Sequence, residues 1–279
     1  ATDDSSIEAT GIAAAVSLAV SGTGTTVSVS IGLALAHNEL DKDVAASIVN
    51  VPSVLTDGGE VIVQAHDASE IEATTIAASL SVAAGFGTSV GVAGGASEST
   101  NIILSRTNAF IDNSAIGDDS HSVGKVDLDA TSTGSIDATV GAVAVAVALG
   151  QNGVGVGVGV AVARNFIGWD PTGNDVTAGY STTFVDSTDG RRKGTLVNEL
   201  TPGMTVRVNE GALTDDVYKY VGPAMSADDP ATTTKVEQFD LSTQAFRDTR
   251  FWEHVSAKAT ASQVQAFLED TSVHATGAL

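Results

Sequence analysis

Gly153-Val154-Gly155-Val156-Gly157-Val158-Gly159-Val160-Ala161-Val162-Ala163 alternates valine with glycine or alanine throughout. It lies in an uncharged run from Val140 to Ala163, long enough to suggest a helix crossing a bilayer. Its periodicity argues otherwise. The valines alternate with glycine or alanine, a period of two that a helix would scatter around its circumference. Each glycine would also cost a helix about 1 kcal/mol relative to alanine. The stretch therefore reads as an extended strand with one branched face and one tiny face. The same alternation recurs upstream, with Val27, Val29, Ile31, Leu33 and Leu35 opposed to Ser28, Ser30, Gly32, Ala34 and Ala36. A face of Gly, Ala and Ser lets another sheet approach closely, so both faces are expected to be covered. The small one is then a contact surface within the fold or between chains.

The chain is organised in repeats. Ile7-Glu8-Ala9-Thr10 returns as Ile71-Glu72-Ala73-Thr74 and as Ile136-Asp137-Ala138-Thr139, a period of about 65 residues. Each copy runs through an apolar stretch, a Gly-rich break (Ser21 to Gly24, Gly85 to Gly87, Gly150 to Gly153) and a second apolar stretch ending in Asn38, Asn101 or Asn165. A second signature follows: Ala46-Ser47-Ile48-Val49-Asn50 matches Ala109-Phe110-Ile111-Asp112-Asn113 and, far downstream, Ala266-Phe267-Leu268-Glu269-Asp270. The third copy is thus expected to be split by an insertion. That assigns 1–167 and 263–279 to the repeats and 168–262 to an inserted β-rich domain. Shorter strands and Gly/Asp/Ser turns, such as Asp57-Gly58-Gly59 before Val61-Ile62-Val63, complete each unit. The predicted class is all-β: a parallel β-solenoid of three repeats. The competing arrangement is a stack of long antiparallel β-hairpins, in which the Gly breaks are the hairpin turns.

Composition bounds the function. Lys and Arg number 13 against 34 acidic residues, a formal net charge of -21, so nucleic-acid backbones and anionic lipid surfaces are repelled. Only 5% of residues are aromatic and there is no cysteine, so disulfides and thiolate metal sites are excluded. No signal peptide or transmembrane helix is legible.

The run Ile-Glu-Ala-Thr, the Gly-Val alternation, Ala161 to Asn165 and Ala109 to Ser114 together resemble the β-strand repeats of giant bacterial extracellular proteins and large adhesins. They are more distantly similar to filamentous-haemagglutinin-type solenoids. The resemblance covers about two thirds of the chain, implies a cell-surface, extracellular or biofilm-matrix role, and transfers no catalytic residues. The third copy stops at Gly277-Ala278-Leu279, so unpaired margins are expected. Either the chain is a piece of a longer array, or copies of it stack head to tail or laterally into a filament.

The insertion differs in kind. It holds nine of the thirteen aromatics and four of the five prolines. Tyr218, Tyr220 and Trp252 are the candidate ligand-binding residues, a platform on which a glycan ring could stack. The alternative is that they fill the core of a small domain. Arg191-Arg192-Lys193 reads as a solvated turn. Asp118, Asp119, Asp215 and Asp216 are the candidate ligands for structural Ca2+, although their spacing matches no EF-hand or nonapeptide loop. The five histidines are dispersed and no His-Glu-x-x-His occurs, so no catalytic residue is assigned. The expectation is a self-assembling structural or adhesive segment. A carbohydrate-binding module on a β stalk is the alternative, and a β-helical polysaccharide-active enzyme stands behind both.

Overall fold

The structure, a computed structural model, describes residues 1–171, 177–185, 192–209, 213, 216–226, 238–255 and 262–277. They form β-strands joined by turns, with one short 3-10 turn at Leu241–Thr243 and no α-helix among the described residues. By its contacts the chain divides into two units. One comprises Ala1–Val44, Ala65–Thr107 and Thr131–Gly168, and the other Ala45–Gln64, Asn108–Ala130 and Trp169–Leu279.

The first unit is built from the long apolar stretches. Their leading halves, Ser6–Ser21, Glu70–Gly85 and Ser135–Leu149, form one three-stranded parallel sheet, here the outbound sheet. Its register aligns the repeated motif: Ile7 stands beside Ile71 and Ile71 beside Ile136. After each Gly-rich break the chain returns in a second sheet through Thr26–Val49, Thr88–Asp112 and Asn152–Ile167, the last two pairing in parallel from Asn152↔Thr88 to Ile167↔Ile103. The two strands flanking a break belong to different sheets. The breaks are therefore arches between layers, and the antiparallel-hairpin alternative is overturned: each long strand pairs in its sheet with its counterpart from another copy. Gly24, at φ +87°, supplies the left-handed residue that lets the first arch turn.

Side-chain size decides which face goes inside. A Cβ added at Gly155 or Gly157 would stand 2.7 Å from the carbonyl oxygen of Ala146 or Ala144 across the gap. With backbone that near, only Gly, Ala, Ser and Thr fit between the layers over most of their length. Hydroxyls bridge them, Ser81 Oγ donating to the Ser28 carbonyl and Ser97 Oγ to the Thr75 carbonyl at 2.8 Å each. Branched side chains have nowhere to go but out: Val27, Val29, Ile31, Leu33 and Leu35 point away from the opposite sheet at 52–72% exposure, as do Val154, Val156, Val158 and Val160 at 47–58%. The outbound sheet does the same with Ile12, Val16, Leu18 and Val20. The expectation that both faces are covered therefore fails for the branched face among the described residues.

Away from the arches the interior becomes larger and then polar. Ile71, Ala73 and Ile103 pack with Ile7, Leu40 and Ile136. Beside them an asparagine ladder crosses the return strands: Asn38 Nδ2 donates to Asn101 Oδ1 at 2.7 Å, and Asn101 Nδ2 to Asn165 Oδ1 at 2.8 Å. The Lys42 ammonium lies 2.8 Å from Asp67 and 2.6 Å from Asp3. Asp67 is fully buried and also accepts from the hydroxyls of Ser69, Ser105 and Ser132.

The second unit holds the ends of the return strands, the short strands and the inserted segment. Asn50, Asn113 and Asp270 have positive φ of 57°, 44° and 45°. Asn and Asp are the residues that tolerate this left-handed region, so the same corner is made in all three copies. Asn113 Nδ2 donates to Asn50 Oδ1 at 2.7 Å. After the corner, Ala115–Ile116 pairs in parallel with Ser272–Val273. Gln263–Glu269 joins the sheet of Thr88–Asp112, and Phe110 stacks on Phe267 with ring centroids 5.3 Å apart. In the insertion, Tyr180–Ser181, Thr205–Arg207, Val217–Tyr220 and Trp252–Val255 form a four-stranded sheet. Its core combines Leu200, Val206, Tyr218, Tyr220, Leu241, Phe246 and Trp252.

Candidate functional site

The three aromatics expected as a sugar platform lie inside that core. Tyr218, Tyr220 and Trp252 are 5%, 1% and 3% exposed. Tyr220 meets Trp252 edge-on at 5.1 Å, Trp252 meets Phe246 at 4.7 Å, and Tyr218 meets Phe246 at 5.4 Å. The Tyr220 hydroxyl donates to the Pro223 carbonyl, and burial pushes its pKa up. No ring face among the three is offered to a ligand. The Tyr-x-Tyr alternation puts both rings on one side of a strand, and that side faces inward.

The acidic candidates are scattered. Asp118 accepts the backbone amides of Ser120 and His121 at 2.7 Å, and these bonds hold its carboxyl below the ordinary range. It caps an exposed turn. Asp119 is almost wholly exposed, 3.5 Å from His274. Asp216 is buried, 3.9 Å from His254. Asp215 lies outside the described residues, as does Arg191, while Arg192–Gly194 is a strand paired antiparallel with Thr183–Val185. Among the described residues no three His, Asp or Glu side chains come together to hold a metal ion.

Gly87-Thr88-Ser89-Val90-Gly91 has the spacing of a hydrolase nucleophile elbow. That motif requires a strand-to-helix turn with the serine exposed, whereas Ser89 is buried in a strand and donates to the Leu149 carbonyl at 2.8 Å. It is a bridge between layers.

Sequence reasoning missed a polar cleft of about 400 Å3 in the second unit. Asn50, Asn113 and Asp270 line it, together with Asp112, Thr182 and Arg247. The Arg247 guanidinium lies over the Phe110 and Phe267 rings, 4.8 and 4.1 Å from their centroids, and donates to Glu269 at 2.5 Å. Burial pushes the Asp112 carboxyl up, and Glu269 and Asp270 add to the shift against the opposing charge of Arg247. The cleft offers amides, hydroxyls and carboxylates to a polyol. The signal that could have found it is the recurrence of Asn, Asn, Asp at one place in three copies.

The remaining feature is the set of open margins. In the outbound sheet the order runs first, second, third copy, so Ser6–Ser21 and Ser135–Leu149 each have a strand on one side only among the described residues. Neither contains Lys, Arg or Pro, the residues that usually blunt a sheet edge. Each presents a long row of backbone donors and acceptors to a further strand. Compared with protein-family models, curated proteins and solved structures, the chain matches none of them.

Proposed function

We propose that this chain is a structural segment of a secreted bacterial surface or matrix protein, a stacking unit whose copies extend one another through their sheet margins as a β-solenoid-like array. The observation that carries the reading is the outbound sheet: three equivalent strands in unbroken parallel register, ending on each side in a long strand with no further strand beside it among the described residues. The asparagine ladder supports it, since a row of amides along the stacking direction is extended by each added rung. The absence of cysteine, the strong negative charge and the likeness to adhesin repeats suit an extracellular setting.

Negative-stain microscopy with sedimentation velocity tests it: particles should lengthen with concentration. Proline at Val143 or at Ala144 should stop the lengthening. Consecutive residues of a strand aim their N–H groups to opposite sides, so one of the two leaves the existing ladder intact. Short particles of fixed length at every concentration, unaffected by either proline, would sink the reading.

The polar cleft supports a second reading, in which the unit carries a neutral glycan. Glycan-array binding lost in Asp112→Asn and Asn113→Ala but kept in the wild type is its test; no binding by the wild type removes it.

A further inference from the structure

We infer that the branched outer face of the return sheet docks against the same face of a second copy of this chain. This goes beyond growth through the margins, because it uses side chains where growth uses backbone groups.

The face is continuous and apolar. Along the first return strand five consecutive outward positions, Val27 to Leu35, are Val, Ile or Leu, and along the third Val154 to Val160 are all valine. Between these ridges the middle strand is low only at Gly94, which pairs with Val158, and Ala96, which pairs with Val160, whereas Val90 and Val92 stand level with Val154 and Val156. A Cβ at Gly94 would meet nothing nearer than Ile31 Cγ1 at 3.8 Å, so this is open space rather than a packed floor. An apolar face with a local trough at Gly94 and Ala96 is self-complementary under a two-fold axis, where a branched side chain of each copy enters the trough of the other.

The size fits. Nine side chains at 47–72% exposure, each presenting on the order of 80 Å2 of apolar surface, give a patch of roughly 700 Å2. That exceeds what a monomer's largest patch usually reaches and is close to one partner's share of a stable dimer, about 800 Å2. The patch ends where charge begins, at the Glu98–Arg164 ion pair on one side and at His37, Glu39, Asp41 and Asp43 along the first strand.

A lipid surface is the other occupant an apolar face could take, and three observations turn against it. The net charge of -21 and the acidic border repel anionic headgroups. None of the chain's tryptophans or tyrosines lies in the return sheet. The return sheet's own edge strands, Thr26–Val49 and Asn152–Ile167, each with a strand on one side only among the described residues, would carry unpaired backbone groups into hydrocarbon.

Sedimentation equilibrium of the full chain tests the inference, with Val156→Lys/Val158→Lys as the face variant and the Val143→Pro and Ala144→Pro chains as margin variants. Both lysines point outward, so the variant should keep the wild-type β circular dichroism. The expected result is that the face variant raises the dissociation constant for pairing at least about a hundredfold, while still lengthening with concentration. Whichever margin variant keeps the wild-type β circular dichroism should stay paired and not lengthen. A cysteine-free chain permits a second readout that does not depend on lysine being tolerated: Val156→Cys should be protected from thiol labelling at pairing concentrations and exposed on dilution. Pairing unchanged in the face variant, or full labelling of Val156→Cys at every concentration, overturns the docking and leaves margin growth standing. Flotation of the wild type with phosphatidylcholine vesicles in place of pairing overturns it in favour of a lipid occupant.

Discussion

Asp67 shows how a charge is kept inside a molecule made mostly of small side chains. Burial pushes its carboxyl up, but the Lys42 ammonium and the hydroxyls of Ser105, Ser69 and Ser132 outweigh that, so its pKa sits below the ordinary range. Lys42 is lowered by burial and raised more strongly by Asp3 and Asp67, for a net rise. The signs give the pH window. A carboxyl with a depressed folded pKa stabilises fully above the ordinary carboxylate value and loses that contribution as pH falls through the folded one. An ammonium with a raised pKa loses its contribution only on the alkaline side, as pH climbs through the folded value. Lys42→Met strands the buried carboxylate and is expected to cost about 3–5 kcal/mol at neutral pH. The cost should shrink below about pH 4, where the carboxyl can protonate; denaturant titrations of both proteins at the two pH values measure this. Asn101→Ala breaks both bonds of the asparagine ladder and leaves a buried amide unpaired, for an expected loss of about 1–3 kcal/mol in the same assay.

At the level of strands, the decisive variable is which side of the sheet a glycine occupies. Gly157 faces the opposite layer, and Gly157→Ala must push backbone apart, with an expected cost of about 1–3 kcal/mol. Gly94 faces outward into open space, and Gly94→Ala is expected to be neutral or to stabilise by about 0.5–1 kcal/mol by restraining the unfolded chain. A pair of thermal melts separates them; equal effects would mean that the layers are not in contact. Period-two alternation in Val154 to Val162 identified strands, and the spacing of Ile7, Ile71 and Ile136 anticipated their register. The orientation of the faces was not legible, because habit assigns branched residues to the interior. Here the core's width is set by glycine, and nothing local in the sequence announces that width.

Over the molecule as a whole, the two kinds of interior should respond differently to truncation. Trp252→Ala removes the centre of the inserted core and is expected to cost about 3–5 kcal/mol there. Such a variant would lose any binding by unfolding the insertion, so a binding loss in it does not identify a contact. Limited proteolysis should cut the insertion while the outbound and return strands stay resistant. The aromatic cluster was legible as a cluster, and its inward direction was not, since Tyr218 and Tyr220 fix a side of their strand without saying which side is wet. The cleft escaped because its residues come from widely separated segments of the chain.

The glycine, alanine and serine lining of the layered region has a thermal consequence. Heat capacity of unfolding follows the apolar area that becomes hydrated, and this interior hides little such area while leaving much of its aliphatic surface already wet. Calorimetry of the face variant, at dilutions where it neither pairs nor lengthens, should therefore return a value per residue below the usual 12–15 cal/mol/K. Its stability curve should be correspondingly broad and shallow, changing little between cold and warm surroundings.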